Sequence, residues 1–172
     1  NEIKAVVHKT LLPNYDIFDE YRYFEPAFEW KVIEFMGKRL AVTICEDIWD
    51  MGKVSLYRVN PMEQLILQSP DIMINLSASP FDYTHPEDRK AIIKSNVLKY
   101  HLPIIYCNTV GSQTEIVFDG GSIVADNDSN IRMEMKTFSE DLQYLELQDN
   151  GCLNLPILEK AVAFPEIPLD PE

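Results

Sequence analysis

Arg39-Leu-Ala-Val-Thr-Ile44 runs directly into Cys45-Glu-Asp-Ile-Trp-Asp50, and that junction decides how the chain is read. A short, continuous apolar run rich in β-branched residues predicts a buried strand. A thiol then follows at the strand's carboxyl end, which is where open α/β sheets place their chemistry. Cys45 is therefore a candidate nucleophile, although a buried cysteine is more often inert packing. Its neighbours Glu46, Asp47 and Asp50 are anionic, and nearby anions raise a thiol pKa. A reactive Cys45 needs a cation close by. The best candidate is Lys9, in His8-Lys-Thr-Leu-Leu-Pro13 at the end of another apolar run.

Apolar runs recur at residues 4–7, 40–44, 71–76, 104–108 and 115–118. Their continuity predicts strands buried on both faces. Helical signals lie between them. Asn60-Pro61 can cap and start a helix carrying Met62, Leu65 and Ile66. Thr84-His-Pro-Glu87 has the form of a capping box before an amphipathic stretch with Ile92, Ile93, Val97 and Leu98. Asp119-Gly-Gly-Ser122 reads as a tight hairpin between two strands. Strands alternating with helices predict an α/β layered domain.

Composition excludes several classes. With 172 residues, 46% hydrophobic and 25% charged, the chain is long enough for one domain with its own core. A net charge of −13 argues against a nucleic-acid surface, which needs clustered cations. No apolar stretch approaches membrane-spanning length. Three irregularly spaced cysteines fit neither a disulfide framework nor a zinc site, so a reducing cytoplasm is expected. Cys107 reads as core and Cys152 as an inert turn residue. His8, His85 and His101 lack metal-ligand spacing, and the glycines form no phosphate-cradling loop.

Three segments together resemble the carbon-nitrogen hydrolase (nitrilase) superfamily: His8-Lys-Thr-Leu-Leu-Pro-Asn14, Thr43-Ile-Cys-Glu-Asp-Ile-Trp49 and Asn75-Leu-Ser-Ala-Ser-Pro-Phe81. Within it, Pro13-Asn-Tyr-Asp-Ile-Phe-Asp-Glu-Tyr-Arg-Tyr-Phe24 and Asn108-Thr-Val-Gly-Ser-Gln-Thr-Glu-Ile-Val-Phe-Asp-Gly-Gly-Ser122 are similar to the glutaminase domains of glutamine-dependent NAD synthetases. The resemblance implies a four-layer αββα sandwich of the carbon-nitrogen hydrolase type. It implies that residues 1–164 are the C-terminal portion of that domain, lacking its N-terminal part. Residues 165–172, rich in proline, would then begin a linker to a synthetase domain.

The same resemblance implies roles. Cys45 attacks the side-chain amide of L-glutamine, and Lys9 with the Glu46 N–H stabilises the oxyanion. The proton shuttle would be a glutamate upstream of Lys9, expected before Asn1, so the stretch alone is expected to be inactive. Tyr15, Phe18, Glu46 and Ser79 would bind the substrate's amino-acid head, with Arg89 a weaker candidate for its carboxylate. Aromatic loop 15–24 reads equally as packing or as a lid that excludes water. No cofactor is expected in this chain; ATP, magnesium and deamido-NAD would belong to the synthetase domain of the same polypeptide, in an enzyme that associates with itself. Two alternatives stay open, a stand-alone amidase or carbamoylase and a non-catalytic scaffold of the same fold.

Overall fold

Met36 and Gly37, both at positive φ (50° and 77°), turn the chain between strand β1 (Ile33–Phe35) and strand β2 (Lys38–Ile44). Two left-handed residues give the turn twist that suits an antiparallel hairpin. This computed structural model describes residues 2–52, 57–148 and 153–154. After β2 come helix α1 (Pro61–Leu65), strand β3 (Ile72–Ser77), helix α2 (His85–Tyr100) and strand β4 (Ile104–Asn108). Strands β5 (Val110–Gln113) and β6 (Ile116–Asp119) form a separate antiparallel pair. Strands β7 (Ile123–Ala125) and β8 (Ile131–Glu134) rejoin the main sheet, and β9 (Glu146–Leu147) pairs with β10 (Leu153–Asn154).

The main sheet has the order β1-β2-β3-β4-β7-β8. Its centre is parallel: Thr43 lies opposite Asn75, and Asn75 opposite Tyr106. Strand β7 then runs antiparallel to β4. Parallel neighbours require crossovers, which α1 and α2 provide. Helix α1 starts as predicted, with the Asn60 side chain accepting the Met62 N–H at 3.0 Å. Helix α2 does not use its capping box. Asp82 accepts both the Thr84 N–H and its hydroxyl at 2.9 Å, and the Glu87 N–H donates to the Thr84 carbonyl at 3.1 Å and not to its side chain.

One sheet face is sealed. Ala41, Met73, Ile104 and Ala125 pack there against Met62, Leu65, Ile93 and Val97 of the two helices. The opposite face is covered mainly where Ile72 and Val124 meet Leu153, Leu145 and Leu147. Leu76 on that face is 50% exposed, and its parallel partner Cys107 is exposed as well. The apolar runs therefore do not mean burial on both faces here, and Cys107 is not core.

Two further expectations fail for the same reason, the need of a strand for a partner backbone. Residues 4–7 pair with no strand among the described residues, and Ile3 and Val6 are exposed. The β5–β6 hairpin turns at Thr114 (φ 55°), not at residues 119–122. Gly120 and Gly121 (φ 67° and 62°) instead carry the chain from β6 back to the main sheet. A Cβ at Gly120 would meet the Val110 side chain at 3.3 Å and the Lys136 carbonyl at 3.4 Å. Residues 165–172 and Cys152 lie outside the described residues.

Candidate active site

Cys45 has φ 46° and stands between the end of β2 and a single 3₁₀ turn, Cys45–Ile48. A non-glycine residue in the left-handed region costs on the order of 1 kcal/mol or more, so its surroundings must hold it there. Asn75 does so by donating to the Cys45 carbonyl (3.3 Å) and to the Thr43 hydroxyl (3.0 Å). Ser77 in turn donates to the Asn75 side-chain oxygen at 2.6 Å. The result is a thiol lifted off a strand end on a sharp turn.

Asp47 ties this elbow to the Lys9 segment. One carboxylate oxygen accepts the backbone N–H groups of Thr10 (2.9 Å) and Leu11 (2.8 Å); the other accepts the Ile44 N–H at 3.0 Å. The Lys9 carbonyl also accepts the Ala27 N–H at 2.9 Å. The main chain around Lys9 is thus fixed against the strand that presents Cys45.

In front of the thiol lies a cavity of about 540 Å³ whose lining includes Lys9, Phe18, Glu20, Phe24, Cys45 and Ser77. The Lys9 ammonium donates to both Glu20 carboxylate oxygens at 2.6 Å. Burial pushes the Cys45 thiol up, and this is the largest effect. The Lys9 charge, the Ala78 N–H and the Ser77 hydroxyl pull it down, while Glu46 pushes it up. Of the three neighbouring anions expected to raise it, Glu46 alone is among the leading causes. Asp47 is instead turned onto backbone N–H groups, and Asp50 is not among the leading causes.

Glu46 is 7% exposed, and its Oε1 accepts the hydroxyls of Tyr15 (2.8 Å) and Tyr57 (3.0 Å). Burial raises the carboxyl pKa, and the two phenols and Lys9 oppose it. The Tyr15 ring meets Phe18 edge-on at 6.1 Å between centroids. Tyr15, Phe18 and Glu46 therefore meet beside Cys45, and of the three Phe18 lines the cavity whereas Tyr15 and Glu46 are not part of its lining. Ser79 is buried nearby; its N–H donates to the Asn108 side chain at 2.9 Å, and its hydroxyl lies near Tyr106.

Arg89 is placed differently. Its guanidinium donates to Asp119 at 2.6 Å and to the Gly120 carbonyl at 3.2 Å, and both side chains are 2% exposed. It does not line the cavity. Helix α2 presents Arg89 inward to the β6–β7 crossing, so its donors serve the fold there and not a substrate carboxylate.

Sequence reasoning missed Glu20, Tyr57 and the stapling role of Asp47. Glu20 stands 11 residues after Lys9, a separation set by no local periodicity. It comes back because residues 15–24 curl up: the Phe18 N–H donates to the Tyr15 carbonyl and the Glu20 N–H to the Pro13 carbonyl. Loop 15–24 leaves Tyr21, Tyr23 and Phe24 exposed, although Phe24 also lines the cavity. Among the described residues no group of three or more His, Cys, Asp or Glu is placed to hold a metal ion. No helix among them is long and apolar enough to cross a membrane.

Comparison with known proteins gives this geometry a context. Carbon-nitrogen hydrolase is the family whose sequence model matches residues 1–154. Glutamine-dependent NAD(+) synthetase from Synechocystis is 35% identical over 168 residues, 92% of this chain and 30% of the relative. Its namesake from Thermotoga maritima is 38% identical over 159 residues, 92% of this chain and 26% of the relative. Among solved structures, glutamine-dependent NAD+ synthetase from Acinetobacter baumannii superposes with a TM-score of 0.79 at 33% identity, covering 95% of this chain and 30% of that one. A carbon-nitrogen hydrolase from Helicobacter pylori, 23% identical, shares the fold with a TM-score of 0.65 over 78% of this chain and 49% of that one. The chain thus spans less than a third of the NAD synthetases it matches.

Proposed function

Because the chain belongs to the carbon-nitrogen hydrolase family, we propose that it forms part of a glutaminase that releases ammonia from L-glutamine through a Cys45 thioester. The observation that carries this reading is the single cavity in which the Lys9–Glu20 pair faces the Cys45 thiol. Similarity to glutamine-dependent NAD synthetases supports glutamine over simple amides as the substrate.

In this reading the Cys45 thiolate attacks the side-chain carbonyl carbon, a C–S bond forms, and negative charge gathers on the carbonyl oxygen. The Lys9 ammonium and the Glu46 N–H take up that charge. Glu20 keeps the Lys9 ammonium aimed, since both of its carboxylate oxygens accept from it at 2.6 Å. The C–N bond then breaks, the nitrogen takes the thiol's original proton from a carboxylate shuttle, and ammonia departs. Water attacks the thioester, the C–S bond breaks, and glutamate leaves with the thiol restored. By family resemblance the shuttle is a glutamate upstream of Lys9. Tyr15, Phe18, Glu46 and Ser79 receive the amino-acid head, with Glu46 matched to the ammonium.

The full polypeptide would pass the ammonia to a synthetase domain that amidates deamido-NAD with ATP and magnesium, in a self-associating cytoplasmic enzyme. The share of each relative that this chain covers supports a further domain. The test uses the full-length polypeptide. A glutamine-like electrophile should label Cys45, and Cys45→Ala should abolish glutamine-driven NAD synthesis while sparing synthesis from free ammonia. Glutamine-driven turnover that survives Cys45→Ala would remove the nucleophile.

A further inference from the structure

Glu46 presents an asymmetry that glutamine hydrolysis by itself does not explain. Both phenols donate to the same oxygen, Oε1, from opposite sides in sequence: Tyr15 precedes the elbow and Tyr57 follows it. Among the described residues Oε2 accepts no hydrogen bond. A carboxylate buried to this degree needs partners for its charge, and two donors on one oxygen fix its rotation and leave the second oxygen for a ligand. Burial and the Glu46 charge both push the Tyr15 and Tyr57 hydroxyls well above the ordinary tyrosine value. Both phenols are therefore neutral donors across the working pH range.

Tyr15 belongs to the loop whose Phe18 lines the cavity. Tyr57 comes from the other side, in the segment that leads to α1. That segment is closed back on the elbow, since the Asn60 side chain donates to the Asp50 carbonyl at 3.3 Å. Glu46 is thus gripped between two chain segments, one on each side of the elbow in sequence.

Resting on the glutaminase reading above, we infer that Tyr57 is a positioning residue that sets amino-acid specificity by holding the Glu46 carboxylate for the substrate's α-ammonium. It touches no reacting atom, and its effect should appear only for substrates that carry that ammonium.

The experiment compares L-glutamine with glutaramate, which keeps the amide and the carboxylate but lacks the α-amino group. Both are assayed with full-length wild type and Tyr57→Phe, using kcat/KM, or the inhibition constant where turnover is slow. Phe keeps the ring and removes only the hydroxyl. Loss of one hydrogen bond to a charged group should raise KM for L-glutamine roughly 5- to 20-fold, with kcat within about twofold of wild type. Glutaramate values should not move, so discrimination falls by the same factor. Equal losses on both amides would show a merely structural role and overturn the inference. A wild type that discriminates with Tyr57→Phe unchanged overturns the Tyr57 assignment alone. A wild type that treats both amides alike removes ammonium recognition by Glu46 and Tyr57's role with it, and a wild type that hydrolyses neither removes the glutaminase reading itself.

Discussion

Asp47 accepts the Thr10 backbone N–H at 2.9 Å across 37 residues of sequence, and so locks the segment bearing Lys9 onto the elbow bearing Cys45. Two candidate catalytic groups from distant parts of the chain owe their proximity to a third side chain that does no chemistry. Asp47→Ala strands the N–H groups of Thr10, Leu11 and Ile44, and each unsatisfied buried group costs about 1–3 kcal/mol. The expected result is a lower urea midpoint together with slower alkylation of Cys45 by iodoacetamide. Lost stability with unchanged alkylation would show that Asp47 does not hold Lys9 to the thiol.

Much of this was legible before any coordinates, and the reasons are local. Strands β2, β3 and β4 announce themselves as β-branched apolar runs, and Asn60-Pro61 carries its own cap. Cys45 could be singled out because strand ends are identifiable from pattern alone. Glu20 and Tyr57 could not, since nothing in their spacing says that one loop curls back to Lys9 and another to Glu46. Asp119-Gly-Gly-Ser122 misled in a third way. Its glycines do supply positive φ, but a sequence cannot say whether the strands on either side pair with each other or with someone else.

Lys9 is the leading influence that lowers the Cys45 pKa against burial. Lys9→Met should therefore move the pH profile of Cys45 alkylation upward. Its effect on turnover should be larger than on KM, because the ammonium matters most as the oxyanion forms; loss of one such donor costs roughly 100- to 1000-fold in kcat. Normal turnover with a raised KM would make Lys9 a substrate contact only.

Glu46 carries a stability cost that comes from burying its carboxylate. Burial raises its folded pKa above the ordinary glutamate value, so the folded state holds its proton to higher pH than the unfolded state does. That contribution is fully present below the ordinary value and is lost as pH rises through the folded one. Glu46→Gln removes this titration while Gln keeps an oxygen for the two phenols. The variant should show a flatter loss of stability with rising pH in denaturation series, and higher stability than wild type at neutral pH. Its KM for L-glutamine should rise. An unchanged KM would move ammonium recognition to another residue.

Arg89 and Asp119 form a buried pair at 2.6 Å, with the Arg89 Nε left without a partner. Removing one member of such a pair leaves an uncompensated charge and costs about 3–5 kcal/mol, whereas replacing both with apolar residues of similar volume is often nearly neutral. Arg89→Met alone should thus lower the urea midpoint sharply, and Arg89→Met with Asp119→Leu should recover most of the loss. Recovery should stay incomplete, because Arg89 also donates to the Gly120 carbonyl at the β6–β7 crossing. The double variant, with its fold regained, should keep a KM for L-glutamine close to wild type. A KM raised tenfold or more in that stable double variant would return Arg89 to the substrate's carboxylate.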